Sequence, residues 1–174
     1  MFKIVNNGIL PTMNSFGLFE LYANGDFTIM AGESMSIPLG IKIDEKYIQE
    51  NIENLQDEKH KLIEIYSGGD CVDFFKKSHY IQITIGNYLY EKGLSYNGNG
   101  IVGLDYKGEI EIKIGNPITE VYTSVGIEAF TWNEIDEITF NDDIVIKHGD
   151  LVAELALIEH KSYLLGGIKN EWRF

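Results

Sequence analysis

Residues Gly100–Asn116 read GIVGLDYKGEIEIKIGN, and this stretch decides the fold class. Its second half alternates strictly, with Ile110, Ile112 and Ile114 on one side and Glu109, Glu111 and Lys113 on the other. A period of two residues predicts a strand buried on one face, with the isoleucines turned inward. The first half sets Ile101-Val102 between glycines and ends in Asp105-Tyr106-Lys107-Gly108. It predicts a second strand and a connection that carries an acid, an aromatic ring and a base.

The segments on either side have the same character. His79–Ile85, HYIQITI, puts Ile81, Ile83 and Ile85 on one face and Tyr80, Gln82 and Thr84 on the other. Gly25–Ile43 offers short apolar stretches punctuated by Gly and Pro. Glu137–Ile146 predicts more strand, with Asn141-Asp142-Asp143 as a turn, and Leu151–Ile158 predicts a further buried strand. Many short strands with regular turn signals predict an all-β sandwich or barrel. One segment differs. Asp44–Tyr66 spaces Tyr47, Ile48, Ile52, Leu55, Leu62 and Ile63 loosely as a helix does, with Asp44 as a cap and Gly68-Gly69 as a stop. It predicts one inserted surface helix over 44–66. The stretch Pro117–Ile135 is ambiguous. No repeat or linker divides the chain, so residues 1–174 are read as a single domain.

Composition narrows the classes further. With 44% hydrophobic and 24% charged residues, the chain is globular rather than disordered. No apolar run approaches the roughly 20 residues of a membrane span, and residues 1–10 lack the apolar core of a secretory signal. A lone cysteine, Cys71, permits no intramolecular disulfide and fits a reducing, cytoplasmic setting. A net charge of −13 argues against broad binding to nucleic acid, but permits a local basic pocket for one nucleotide. It also permits an acidic surface that engages a protein partner. The richness in Ile, Asn, Lys and Glu fits an AT-rich genome, a viral one included. The four histidines are scattered without zinc-ligand spacing.

The run GIVGLDYKG followed by an alternating strand and Asn116 resembles the third motif of trimeric dUTPases, in the dUTPase and dCTP-deaminase superfamily. Three more segments fall in order. Ile9–Pro11 with Ser15–Ala23 resembles the first motif. Ala31–Glu33 and Ile37–Ile41 resemble its Pro-Gly-Glu and Val-Pro-Thr-Gly-Ile strands. His148–Leu155, HGDLVAEL, resembles Pro-Gly-Asp-Arg-Ile-Ala-Gln-Leu. Together they span residues 9 to 158. The resemblance implies a distorted jelly-roll β-barrel, a homotrimer with sites shared between subunits, and a β-hairpin arm whose Tyr106 packs on a deoxyribose. It also implies Mg²⁺, with Glu20 in place of the first motif's aspartate on the metal's water shell.

The departures fall on the chemistry. Gly103 stands where the water-activating aspartate is expected, and such a group is worth about 10²–10⁴-fold in rate. The second motif's arginine and serine are Gly86 and Asn87, and of its pattern only Leu89 and Lys92 remain. The glycine-rich C-terminal arm is reduced to Gly166-Gly167, although Trp172 or Phe174 could stack on a base or dock on a subunit. Lys113 replaces the glutamate used for deamination, so that route is not implied. Asp105, two residues from Gly103, is the surviving candidate base, expected on the same side of an extended hairpin but displaced. Tyr106, Lys107, Asn87 and Lys92 are the candidate ligand-binding residues. Two functions compete: a non-catalytic or weakly catalytic protein that binds a nucleotide or a protein partner, and an active Mg²⁺-dependent dUTP diphosphatase. A structural component without a ligand is the blander third.

Overall fold

The structure, a computed structural model, describes residues 1–52, 55–117, 119–122, 136–139, 142–162 and 164. Their core is built from alternating strands, as the isoleucine pattern requires. Strands β1 (Phe2–Ile4), β2 (Thr12–Met13), β3 (Phe19–Tyr22), β4 (Phe27–Ile29), β5 (Ser34–Pro38) and β6 (Ile41–Ile43) come first. Helices α1 (Glu45–Asn51), α2 (Leu55–Ser67) and α3 (Cys71–Ser78) follow. Strand β7 (His79–Ile85), helix α4 (Asn87–Glu91), and strands β8 (Ser95–Tyr96), β9 (Ile101–Gly103) and β10 (Glu111–Gly115) carry the middle of the chain. Strands β11 (Thr119–Tyr122), β12 (Asp136–Thr139), β13 (Ile144–Ile146) and β14 (Leu151–Glu159) complete it.

Among the described residues every ladder is antiparallel. The largest sheet has the order β2-β3-β14-β7-β9, and a second has the order β5-β10-β8. The pairs β1-β6, β4-β13 and β11-β12 form ribbons. Among the described residues no ladder closes into a continuous barrel. Ile81, Ile83 and Leu155 of the first sheet meet Ile37, Ile112 and Ile114 of the second in one core cluster. Ile110, Ile112 and Ile114 are all buried, as the alternation predicted. Buried Asn116 donates from Nδ2 to the carbonyls of Ile29 and Asp142, at 3.0 Å each, and so fastens the end of β10 to the start of β13.

Three expectations need correction. The inserted helix over 44–66 is two helices, and a third carries the helical region to Ser78. Asp70 caps α3 by accepting from the Asp73 N–H at 3.0 Å, and Phe74 of α3 and Ile63 of α2 are buried where the two helices pack. Glu137–Ile146 is not one hairpin, since β12 pairs with β11 and β13 pairs with β4. Nor do β9 and β10 pair with each other, because β9 adds to β7 while β10 lies between β5 and β8. Asn141, Gly166-Gly167, Trp172 and Phe174 lie outside the described residues. No described helix is long and apolar enough to cross a membrane.

Candidate functional site

The connection between β9 and β10 begins as a β-turn. The Tyr106 N–H donates to the Gly103 carbonyl at 3.1 Å, which places Leu104 and Asp105 at the turn's centre. Leu104 is buried and anchors the turn in the core. Asp105 is therefore not an extended residue pointing along an arm. Its carboxylate folds back over Gly103, where a Cβ on residue 103 would stand 2.6 Å from Asp105 Oδ1. The carboxylate thus fills the space that a side chain at 103 would enter.

Tyr106 continues the turn by laying its ring over Gly108 and donating from its hydroxyl to the Glu109 carbonyl at 3.3 Å. Tyr106 remains 46% exposed, so part of it is open to solvent. Glu109 ties the turn to the rest of the fold. Its carboxylate accepts from the Gly40 N–H at 2.9 Å and from Asn6 Nδ2 at 2.8 Å.

Lys107 turns away from Tyr106 and pairs with Glu45, the first residue of α1. Glu45 also accepts from Lys76 of α3 at 2.9 Å. Hydrogen bonds from Lys107 and Lys76 hold the Glu45 carboxyl down at about 2, from an ordinary value of 4.5. A carboxylate with a depressed pKa stabilises the fold fully above its unfolded pKa, and this stabilisation disappears as pH falls through the folded value. The Glu45 contribution is therefore complete above about pH 4.5 and gone near pH 2. Thermal melts from pH 6 to 2 are expected to show wild type and Glu45→Gln converging across that window. The gap should narrow in salt, because the pair is exposed.

The second-motif residues lie elsewhere. Gly86 is buried as the N-cap of α4, and its N–H donates to the Val152 carbonyl at 3.0 Å. Asn87 is exposed at the helix start. Lys92 sits 4.2 Å over the Tyr88 ring in a cation–π contact. Glu20 lies on the outer face of the five-stranded sheet, opposite Thr12 on one side and Glu154 on the other. Its Oε2 accepts from the Tyr22 hydroxyl at 2.9 Å, and Asn14 Nδ2 donates to Glu154 at 3.2 Å. Among the described residues no three His, Cys, Asp or Glu side chains gather as metal ligands.

One chain does not bring these groups together. Gly103 pairs with Tyr80 at one end of β7, and Gly86 follows the other end. Six residue steps separate Tyr80 from Gly86, roughly 20 Å along an extended strand. The sequence also concealed two partners, since neither Glu45 nor Tyr88 stands out as functional. Their contacts show that both lysines expected on phosphates are engaged within the chain.

No protein-family model matches the chain, and no curated protein matches it in sequence. Solved structures do match. The dUTPase from phage phi11 of S. aureus aligns with TM-score 0.56 at 14% identity, over 92% of this chain and 90% of that one. The Staphylococcus bacteriophage 80alpha dUTPase, a mutant with dUpNHpp, aligns with TM-score 0.55 at 12% identity over 92% and 90%. That protein is described among phage dUTPases that control transfer of virulence genes by a proto-oncogenic G protein-like mechanism. The Streptococcus mutans dUTPase aligns with TM-score 0.53 at 14% identity over 92% and 95%. The chain has a divergent dUTPase-like fold, and at these identities the likeness is one of fold.

Proposed function

We propose that this chain is a cytoplasmic dUTPase-like protein that binds a deoxyuridine nucleotide but hydrolyses it weakly or not at all. The observation that carries the reading is a paired loss beside an intact platform. Position 103 has no carboxylate and position 86 has no arginine, while the Leu104-anchored turn still presents the Tyr106 ring. Gly86 is buried against the Val152 backbone, to which its N–H donates.

The same reading includes a homotrimer. The roughly 20 Å along β7 between the Gly103 end and Gly86 exceeds the sugar-to-phosphate span of one nucleotide. A site using both would combine the turn of one subunit with α4 of another. Mg²⁺ fits this arrangement only as a guest of the nucleotide's phosphates. Glu20 has one carboxylate oxygen engaged by Tyr22, and it would contact the ion's water shell rather than cage it. When bound, the ion would neutralise phosphate charge. The chain's own contribution is to hold the sugar on Tyr106.

The alternative, an active dUTP diphosphatase, is favoured by one specific observation. The Asp105 carboxylate already occupies the space beside Gly103, so it would serve as a relocated base that orients the attacking water. The two readings separate in one pair of assays. Under the first, dUpNHpp raises the melting temperature, Tyr106→Ala weakens its binding about tenfold, and pyrophosphate release from dUTP with Mg²⁺ is slow or absent. Fast release that Asp105→Ala abolishes would establish the second. An absence of nucleotide binding would sink both and direct attention to protein partners of the acidic surface.

A further inference from the structure

We propose that the open cleft between the β1-β6 ribbon and α1, lined by Lys3, Lys42, Lys46 and Lys107, binds a compact, multiply charged phosphate anion through Lys3 and Lys42. This proposal does not rest on the reading of Tyr106. The cleft has a volume of about 610 Å³ and brings four lysines together in a chain of net charge −13. Register explains the concentration. Lys3 and Lys42 are directly opposite each other in the antiparallel β1-β6 pair, so both ammonium groups leave the ribbon on the same face. Lys46 adds a third from α1, and Lys107 a fourth from the turn before β10.

Like charges directly opposite on a sheet destabilise it, and neighbouring carboxylates ordinarily relieve the strain. Here they are committed elsewhere. Asp44 accepts from the backbone N–H groups of Lys46 and Tyr47 as the cap of α1. Glu45 holds Lys107 and Lys76, and Glu50 lies 3.7 Å from the Lys46 ammonium. Lys3 and Lys42 make no ion pair among the described residues, so their charge is left for something outside the chain. Ammonium groups on flexible stems act as point charges that suit phosphate, whereas a planar carboxylate ligand is better met by an arginine fork. Four lysines against Asp44 and Glu45 leave the cleft lining with an excess of positive charge, which favours a small anion. The acidic remainder of the surface repels an extended polyanion, which limits the ligand to a short phosphate chain, free or carried by a nucleotide.

The test is calorimetric titration of the full-length protein with inorganic tripolyphosphate, without Mg²⁺ and at low salt, beside orthophosphate and deoxyuridine. Wild type is expected to bind tripolyphosphate at least tenfold tighter than orthophosphate, and to show no cleft-dependent binding of deoxyuridine. The double variant Lys3→Gln/Lys42→Gln should weaken tripolyphosphate binding tenfold or more. Without anion it should melt no lower than wild type, since it loses a repulsive pair. Lys3→Arg/Lys42→Arg should retain affinity within about threefold, which separates lost charge from lost fold. Unchanged affinity in the glutamine variant, equal binding of orthophosphate, or no binding of tripolyphosphate by wild type would each overturn the proposal. dUTP binding that depends on the same two lysines would identify a nucleotide as the carrier. Tripolyphosphate binding alone would identify a free phosphate chain.

Discussion

Gly103→Asp is expected to raise the rate of pyrophosphate release from dUTP by about 10²–10⁴-fold, the span that one well-placed proton-transfer group supplies. The backbone permits the change. Gly103 ends β9 and is not among the positive-φ glycines, so an L side chain adds no backbone strain. The atom that a new Cβ would meet is Asp105 Oδ1, at 2.6 Å. That atom is the far end of an exposed side chain and can swing aside. Two adjacent carboxylates would raise the pKa of one of them, which weakens it as a charged partner but suits it as a base nearer neutral pH. The double variant Gly103→Asp/Asp105→Ser removes that coupling and should keep the gain. Steady-state kcat/KM with Mg²⁺ reads the outcome. If Asp105 already serves as the base, Gly103→Asp displaces it and the rate stays level or falls. The substitution therefore decides between the two functional readings by the sign of its effect.

What the sequence revealed and what it concealed divide along physical lines. Local periodicity was legible. Ile110, Ile112 and Ile114 are buried because a strand with one wet face cannot place them otherwise. The motif order from Ile9 to Ile158 was legible too, and the fold it implied matches the phage and bacterial dUTPase structures. The short helix α3 was not. CVDFFKKS spans eight residues, too few for its apolar positions to establish a helical period, even with Asp70 as its cap. Pairings between distant strands were not legible either. β10 lies against β5, about 75 residues away, and only the packed core sets that register. The misreading of Asp105 has the same origin. Spacing alone put it on an extended arm, whereas separating β9 and β10 into different sheets forces a tight turn and folds the carboxylate back. The Lys3-Lys42 cleft follows from the β1-β6 pairing, which no motif announces.

Gly40→Ala is expected to cost about 3 kcal/mol, roughly 10 °C in melting temperature for a chain of this size. Two costs add. Gly40 has φ +65°, where an L side chain is strained by about 1–2 kcal/mol. A Cβ there would also run into the Gly8 backbone and lie 2.8 Å from Asn24 Nδ2, and overpacking of this kind costs about 1–3 kcal/mol. Backbone atoms cannot yield as a side-chain tip can. Gly17→Ala is the control, because Gly17 has φ +78° but nothing within 4 Å of its new Cβ. It should lose only the conformational part, roughly 3–5 °C. The difference between the two variants measures the close approach of Gly8 and Gly40. That crossing also has a functional consequence. The Gly40 N–H holds Glu109, whose carbonyl receives the Tyr106 hydroxyl, and the Gly40 carbonyl accepts from Val5, just beyond β1. A displaced Gly40 would loosen the Tyr106 turn and the Lys3 ribbon together. Gly40→Ala should therefore weaken both dUpNHpp and tripolyphosphate binding at temperatures where the protein is still folded, whereas Gly17→Ala should leave both unchanged.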